Sequence, residues 1–119
     1  MTDLGIQGRS ARPAADRLGF PREREYPKPV EFEWDPRKAD LNLRKHGVSF
    51  SEAATVFGDH LSETAFDPAH SSEEDRFLTV GRSIRRRLLI VAHVERGDRI
   101  RIISARELTR SERDAYEEG

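Results

Sequence analysis

Arginine and histidine supply most of the chemistry this sequence can offer. Between Arg76 and Arg110 stand ten arginines against three acids (Glu95, Asp98, Glu107), a local charge of +7 inside the most apolar stretch of the chain. Of the 21 cationic residues 18 are arginine. A planar guanidinium fork holds a phosphate through two hydrogen bonds, although compositional bias is the plainer source of such a count. Four histidines, His46, His60, His70 and His93, add a side-chain type that titrates near neutral pH. Other chemistries are disfavoured. No two histidines stand at i, i+4, the Glu73-Glu74-Asp75 run projects consecutive rather than converging side chains, and there is no cysteine, so no metal-ligand spacing is present. Gly81 and Gly97 read as strand or turn glycines rather than a phosphate-cradling loop, and serine hydrolase and kinase signatures are absent.

The arginines are carried by segments that read as strands: Arg76 to Arg82, Leu88 to Glu95 and Arg99 to Arg106. Short turns, Ser83 to Arg87 and Arg96 to Asp98, predict antiparallel pairing of neighbours. A sheet that buries one face and carries this much arginine is expected to turn its other face, or its rim, toward a polyanion. In the last strand strict alternation sets Arg99, Arg101, Ile103 and Ala105 against Ile100, Ile102, Ser104 and Arg106, so Arg101 and Arg106 are predicted to leave on opposite faces. The net charge of −1 hides a dipole, because residues 31 to 75 carry −7. That acidic half either pairs with the basic half inside the fold or leaves it free for a partner.

Upstream, residues 1 to 29 hold four prolines, three glycines and no sustained apolar period, and predict a flexible N-terminal extension. Val30, Phe32 and Trp34 alternate with acids as in a short strand with one buried face. Asp35-Pro36 is a helix start, Gly47 a left-handed stop, and Ala39, Leu43 and His46 form the expected buried stripe of a helix over Pro36 to His46. Ser49 to Glu52 reads as a capping box opening a second helix through Phe57, and Thr109 to Glu112 as another opening a short C-terminal helix. Leu61 to Phe66 is a weaker strand. The expected fold is α+β: one domain over 30–119, with a small antiparallel sheet of four to five strands covered by two N-terminal helices and a short C-terminal helix. No apolar run approaches 18 residues, so no membrane segment is expected and the cytoplasm is the predicted location.

From Phe32 onward the chain resembles the BrnT family of toxins from bacterial toxin–antitoxin systems. The residues that carry the resemblance are FEWDPRKADLNLRKHGVSFSEAATVF at 32 to 57, EDRFLTVGRS at 74 to 83, and RGDRIRIISARELTRSERDAYEE at 96 to 118. The resemblance implies a RelE-like fold and an endoribonuclease that arrests translation without a cofactor. It also implies that a BrnA-like antitoxin holds the enzyme inactive in a hetero-oligomer, with DNA met only through that antitoxin. The extension over 1–29 is not part of the family pattern.

RNA carries its own nucleophile, the 2′-hydroxyl. Metal-free cleavage then needs in-line positioning, proton transfer, and cations around the crowded phosphate of the transition state. Arg76 and Arg106, within EDR and ISAR, are the first candidates for the cations, with ion pairs to Glu73, Glu74 or Asp75 as the structural alternative. For proton transfer the candidates are His46, His93 and Glu74. His46 also suits the carbonyl end of the first helix, and His93 shares a strand face with Leu89 and Val91, where it would be a core histidine. Arg82, Arg101 and Lys45 are candidates for RNA binding, and Tyr116 for stacking on a base or packing on the sheet. A different class of function fits the same charge pattern: a non-catalytic module that complexes an antitoxin and tunes repression of its operon.

Overall fold

Short turns and alternating apolar residues dictate most of the sheet. The computed structural model describes residues 30–118, and the extension expected over 1–29 lies outside the described residues. Five strands, β1 (Glu31–Glu33), β2 (Glu63–Phe66), β3 (Phe77–Arg82), β4 (Leu88–Arg96) and β5 (Arg99–Glu107), lie in the order β1-β5-β4-β3-β2. Among the described residues the α-helices are α1 (Pro36–His46), α2 (Phe50–Thr55) and α3 (Arg110–Glu118), with 3₁₀ turns at Val56–Gly58 and Pro68–His70. The α+β class is as expected, but the sheet is mixed rather than antiparallel. β2 to β5 pair antiparallel, whereas β1 runs parallel to β5 with Phe32 opposite Ile100. Alternation in a sequence tells which face is buried and nothing about direction. Strands far apart in the chain have no hairpin to impose one.

The helix signals act as written, with two departures. Asp35 accepts from the Arg37 N–H at 2.8 Å, Pro36 takes the first turn, and Gly47, at φ 70°, donates its N–H to the Leu43 carbonyl at 2.9 Å. The buried residue of α1 is Asn42, however, and Leu43 is 50 % exposed. In α2, Ser49 accepts from the Glu52 N–H at 3.0 Å, but the Glu52 carboxylate does not return to cap it. It is buried instead, accepting from Ser83 Oγ at 2.7 Å and from Arg87 Nε at 2.9 Å. The Arg87 pairing holds the Glu52 carboxyl below its usual range. The box at α3 closes both ways, with Thr109 N–H donating to Glu112 at 2.8 Å and Glu112 N–H to Thr109 Oγ1 at 3.2 Å.

Val48, Phe50, Ala53 and Val56 pack with Leu89, Val91, Ile102 and Ala105 into the core, each large side chain contributing about 1.5–3 kcal/mol of burial. Trp34 stands edge-on to Phe50, its ring centroid 5.9 Å away. Gly81 is required by close approach, since a Cβ there would lie 2.9 Å from both Ser62 Cβ and Val56 Cγ1. The alternation expected for β5 fails at one point. Pairing passes from Ala92 opposite Ser104 to His93 opposite Ile102, leaving Ile103 without a partner. This bulge changes the phase, so Ile102 and Ala105 both reach the core. Arg101 and Arg106 therefore leave on the same face, not on opposite ones.

Candidate active site

On the face opposite the core, cross-strand register builds a floor. Leu78, Ala92 and Ser104 lie side by side across β3, β4 and β5, and Ile90 and Arg106 form the next row. They line a concavity of about 350 Å³ with Arg76, Asp67, His70 and His46 at its sides. Three separate devices bring these side residues in. Arg76 and Asp67 meet at the neck of the β2–β3 loop, where the Asp67 N–H donates to the Arg76 carbonyl at 2.9 Å. Arg106 rises from β5. His46 arrives on the last turn of α1, and what docks that turn is Asn42.

β1 stops at the level of Arg101, so the outer edge of β5 beyond it has no strand partner. The Asn42 side chain fills the gap, accepting from the Ala105 N–H at 3.0 Å and donating to the Ala105 carbonyl at 2.8 Å and the Val48 carbonyl at 2.9 Å. Buried backbone groups need such partners. An asparagine in mid-helix, where its competition for backbone hydrogen bonds is unfavourable, is the sequence signal for this role.

The arginine-rich block is largely answered from within. Arg87 pairs with Glu52 and Glu107, Arg96 with Glu74, Arg99 with Glu31 and Glu33, and Arg101 with Glu33. Arg106 makes a two-pronged contact with Glu112 at 2.8 and 3.0 Å, and its NH1 also reaches the Glu107 carbonyl at 3.1 Å. That fork, followed by the Thr109 N–H, draws the Glu112 carboxyl down to about 2. The same pairing raises Arg106 further. Arg76, Arg86 and Arg110 have no carboxylate within ion-pair distance among the described residues, and of these three Arg76 is the one that lines the concavity. Many of the arginines expected to turn a face or rim toward a polyanion are thus engaged by carboxylates, and within the concavity the fork without one is Arg76.

Of the candidates from sequence, the concavity gathers Arg76, Arg106 and His46 and leaves the others out. His93 is 1 % exposed on the core face, between Phe57 and Phe77, with Nε2 against Thr79 Oγ1 at 2.8 Å. Burial pushes its imidazole down to about 4, so it is a neutral core histidine. Glu74 is bound to Arg96 at 3.0 and 3.1 Å, away from the floor. Arg101 is held by Glu33 at 3.3 Å, and Arg82 NH1 donates to the Arg86 carbonyl at 3.1 Å. Lys45 is exposed on the last turn of α1. Tyr116 lies outside the concavity and donates to the Leu61 carbonyl at 2.7 Å, which ties α3 to the segment before β2. Sequence reasoning missed Asp67 and His70, whose rings and oxygens meet at 2.9 Å. Their signal was the Asp-Pro step with a histidine three residues on, a spacing that faces the two side chains toward each other across one tight turn.

Among the described residues no three of His, Asp or Glu gather to hold a metal ion, and no helix is long and apolar enough to cross a membrane.

No curated protein matches the chain. Among solved structures it is similar to the 1.1 Å crystal structure of the Brucella abortus ribonuclease toxin BrnT. The two are 19 % identical with a TM-score of 0.52, over 69 % of this chain and 100 % of that one, which is a likeness of fold. The family described as the ribonuclease toxin BrnT of type II toxin–antitoxin systems matches residues 34–112. On that match, spanning the helix pair, β2 to β5 and the start of α3, the chain belongs to the BrnT family of ribonuclease toxins, a class of toxin that is paired with an antitoxin.

Proposed function

We propose that this chain is an endoribonuclease that cleaves RNA without a metal ion, through the substrate's own 2′-hydroxyl, and so stops translation in the cytoplasm. The observation that carries the reading is the concavity on the open sheet face, where Arg76 presents a guanidinium with no carboxylate partner among the described residues. A phosphate there would take two hydrogen bonds from Arg76 and see a second cation in Arg106, whose fork is fixed by Glu112. The apolar floor of Leu78, Ile90 and Ala92 suits a base or ribose above the phosphate. His46 is the acid that protonates the leaving 5′-oxygen, and the first helix carries it to the rim.

The partner is a BrnA-type antitoxin, which forms a hetero-oligomer with the toxin and is its only link to DNA. Residues 30–119 make up the toxin domain in a RelE-like arrangement, with 1–29 as an extension to it. A second reading has support in the pairing of Arg87, Arg96, Arg99 and Arg101 with carboxylates: a non-catalytic module that binds the antitoxin and modulates autorepression. Inducible expression with and without the neighbouring antitoxin gene separates the two. Growth arrest with fragmented RNA, relieved by co-expression, is the outcome for a nuclease; growth with intact RNA in the absence of antitoxin overturns that reading.

A further inference from the structure

Three hydrogen bonds close the neck of the β2–β3 loop. The Asp67 N–H donates to the Arg76 carbonyl at 2.9 Å, the Ser71 hydroxyl donates to the Asp67 carbonyl, and the Arg76 N–H donates to Ser71 Oγ at 2.9 Å. One hydroxyl thus ties both ends of a ten-residue excursion together. Pro68 starts the short 3₁₀ turn that carries His70 back over Asp67. The loop is therefore built, and what it builds is a carboxylate and an imidazole beside the open arginine.

The His70 ring meets Asp67 through Nδ1, at 2.9 Å. A carboxylate in its ionised form only accepts, so the neutral tautomer that this contact selects carries its hydrogen on Nδ1 and leaves the Nε2 lone pair, across the ring, free to accept a proton. The pair is graded in exposure: the His70 side chain is 67 % exposed and the Asp67 side chain 15 %. A base must reach its substrate, and the group that orients it does best out of water. Both line the same concavity as Arg76, and the other charged or titratable side chains there are Arg106 and His46.

From this geometry we infer that His70 is the general base of the cleavage step, oriented by Asp67, with Ser71 as the positioning residue that keeps the pair beside Arg76. The inference rests on the ribonuclease reading above. Nε2 takes the proton of the 2′-hydroxyl. The 2′-oxygen forms its bond to phosphorus as the bond from phosphorus to the 5′-oxygen breaks, and the 5′-oxygen takes a proton from His46. The products are a 2′,3′-cyclic phosphate and a 5′-hydroxyl, and His46 has lost the proton that His70 has gained. No oxidant, metal or further reactant is consumed.

The test compares the purified full-length chain, freed of antitoxin, with its His70→Ala, Asp67→Asn and Ser71→Ala variants on a mixed-sequence RNA in EDTA across pH. His70→Ala is expected to lower kcat by about 100-fold or more, to lose the acidic limb of the pH–rate profile, and to regain rate when imidazole is added. Binding of the uncleavable 2′-deoxy analogue stays unchanged. Asp67→Asn and Ser71→Ala lower kcat by roughly tenfold at constant KM, the cost of a misplaced base. Cleavage by His70→Ala at the wild-type rate, or a loss of rate that imidazole does not restore, overturns the inference while leaving the ribonuclease reading intact. A wild-type chain that leaves RNA uncut overturns both.

Discussion

The side-chain amide of Asn42 makes, to Ala105, the two hydrogen bonds that a neighbouring strand would make, at 2.8 and 3.0 Å. A helix thereby finishes the edge of a sheet. Because Asn42 sits one turn before His46, the contact that satisfies β5 also sets His46 beside the concavity that Arg76 and Arg106 line.

Replacing Asn42 removes partners from buried backbone groups at Ala105 and Val48. Asn42→Ala should cost about 2–4 kcal/mol in chemical denaturation, most of it the desolvation of groups left unpaired. Asn42→Asp should be no better, because a carboxylate accepts from the Ala105 N–H but offers nothing to the two carbonyls. Wild-type stability in either variant would mean that water replaces the amide at no cost.

Glu52 is a second anchor that sequence assigned to a different task. Its carboxylate is 4 % exposed and binds Arg87 and Ser83, which join α2 to the β3–β4 turn. Glu52→Ala leaves the half-buried Arg87 without its main partner, and a loss of about 3 kcal/mol is expected. Replacing both residues by apolar side chains of similar size should recover much of that loss, as measured by a double-mutant cycle.

Acid should loosen the fold through His93. Its folded value of about 4 lies below the ordinary 6.5 because burial disfavours the imidazolium. Between those two pH values the unfolded chain binds the proton and the folded one does not, so stability falls as pH falls across that window. The contribution is on the order of 3 kcal/mol by pH 4. Denaturation midpoints for wild type and His93→Gln should converge as pH drops from 7 toward 4; parallel curves would show that the buried imidazole does not titrate there.

Much of this architecture was legible. Asp35-Pro36 and Gly47 mark α1 to the residue, since caps act through a few local hydrogen bonds, and the turns at Ser83–Arg87 and Arg96–Asp98 bring β3, β4 and β5 together in the expected sense. What escaped was decided at a distance. The direction of β1 depends on β5, far along the chain. The extra residue at Ile103 shows only when Ile102 and Ala105 are required in one core. A mid-helix asparagine does not announce a sheet edge, so Leu43 was expected where Asn42 lies. At the site the arginines were visible as a mass, but their carboxylate partners were not. His70 lay in a polar loop whose hydroxyl clasp is a property of three dimensions.

Glu112 closes the cap of α3 and holds Arg106 at once. Its carboxyl titrates down at about 2, well under the ordinary 4.5, so its stabilising contribution is complete above that ordinary value and is lost as pH falls through the folded one. Hydrogen exchange of the α3 amides should accelerate in Glu112→Ala at neutral pH, and in wild type only at strongly acid pH. Unchanged protection in Glu112→Ala would mean that Tyr116 and the rest of the helix dock α3 without the cap.

Arg76 is where the account is most exposed. With antitoxin removed and EDTA present, the wild-type chain should cut RNA and spare the same sequence made of 2′-deoxy residues. Arg76→Ala should cut the RNA about 100-fold more slowly or worse while unfolding at the wild-type denaturant midpoint. Cleavage of the 2′-deoxy strand, or an Arg76→Ala variant as active as wild type, would contradict the claim that this guanidinium grips the phosphate being broken.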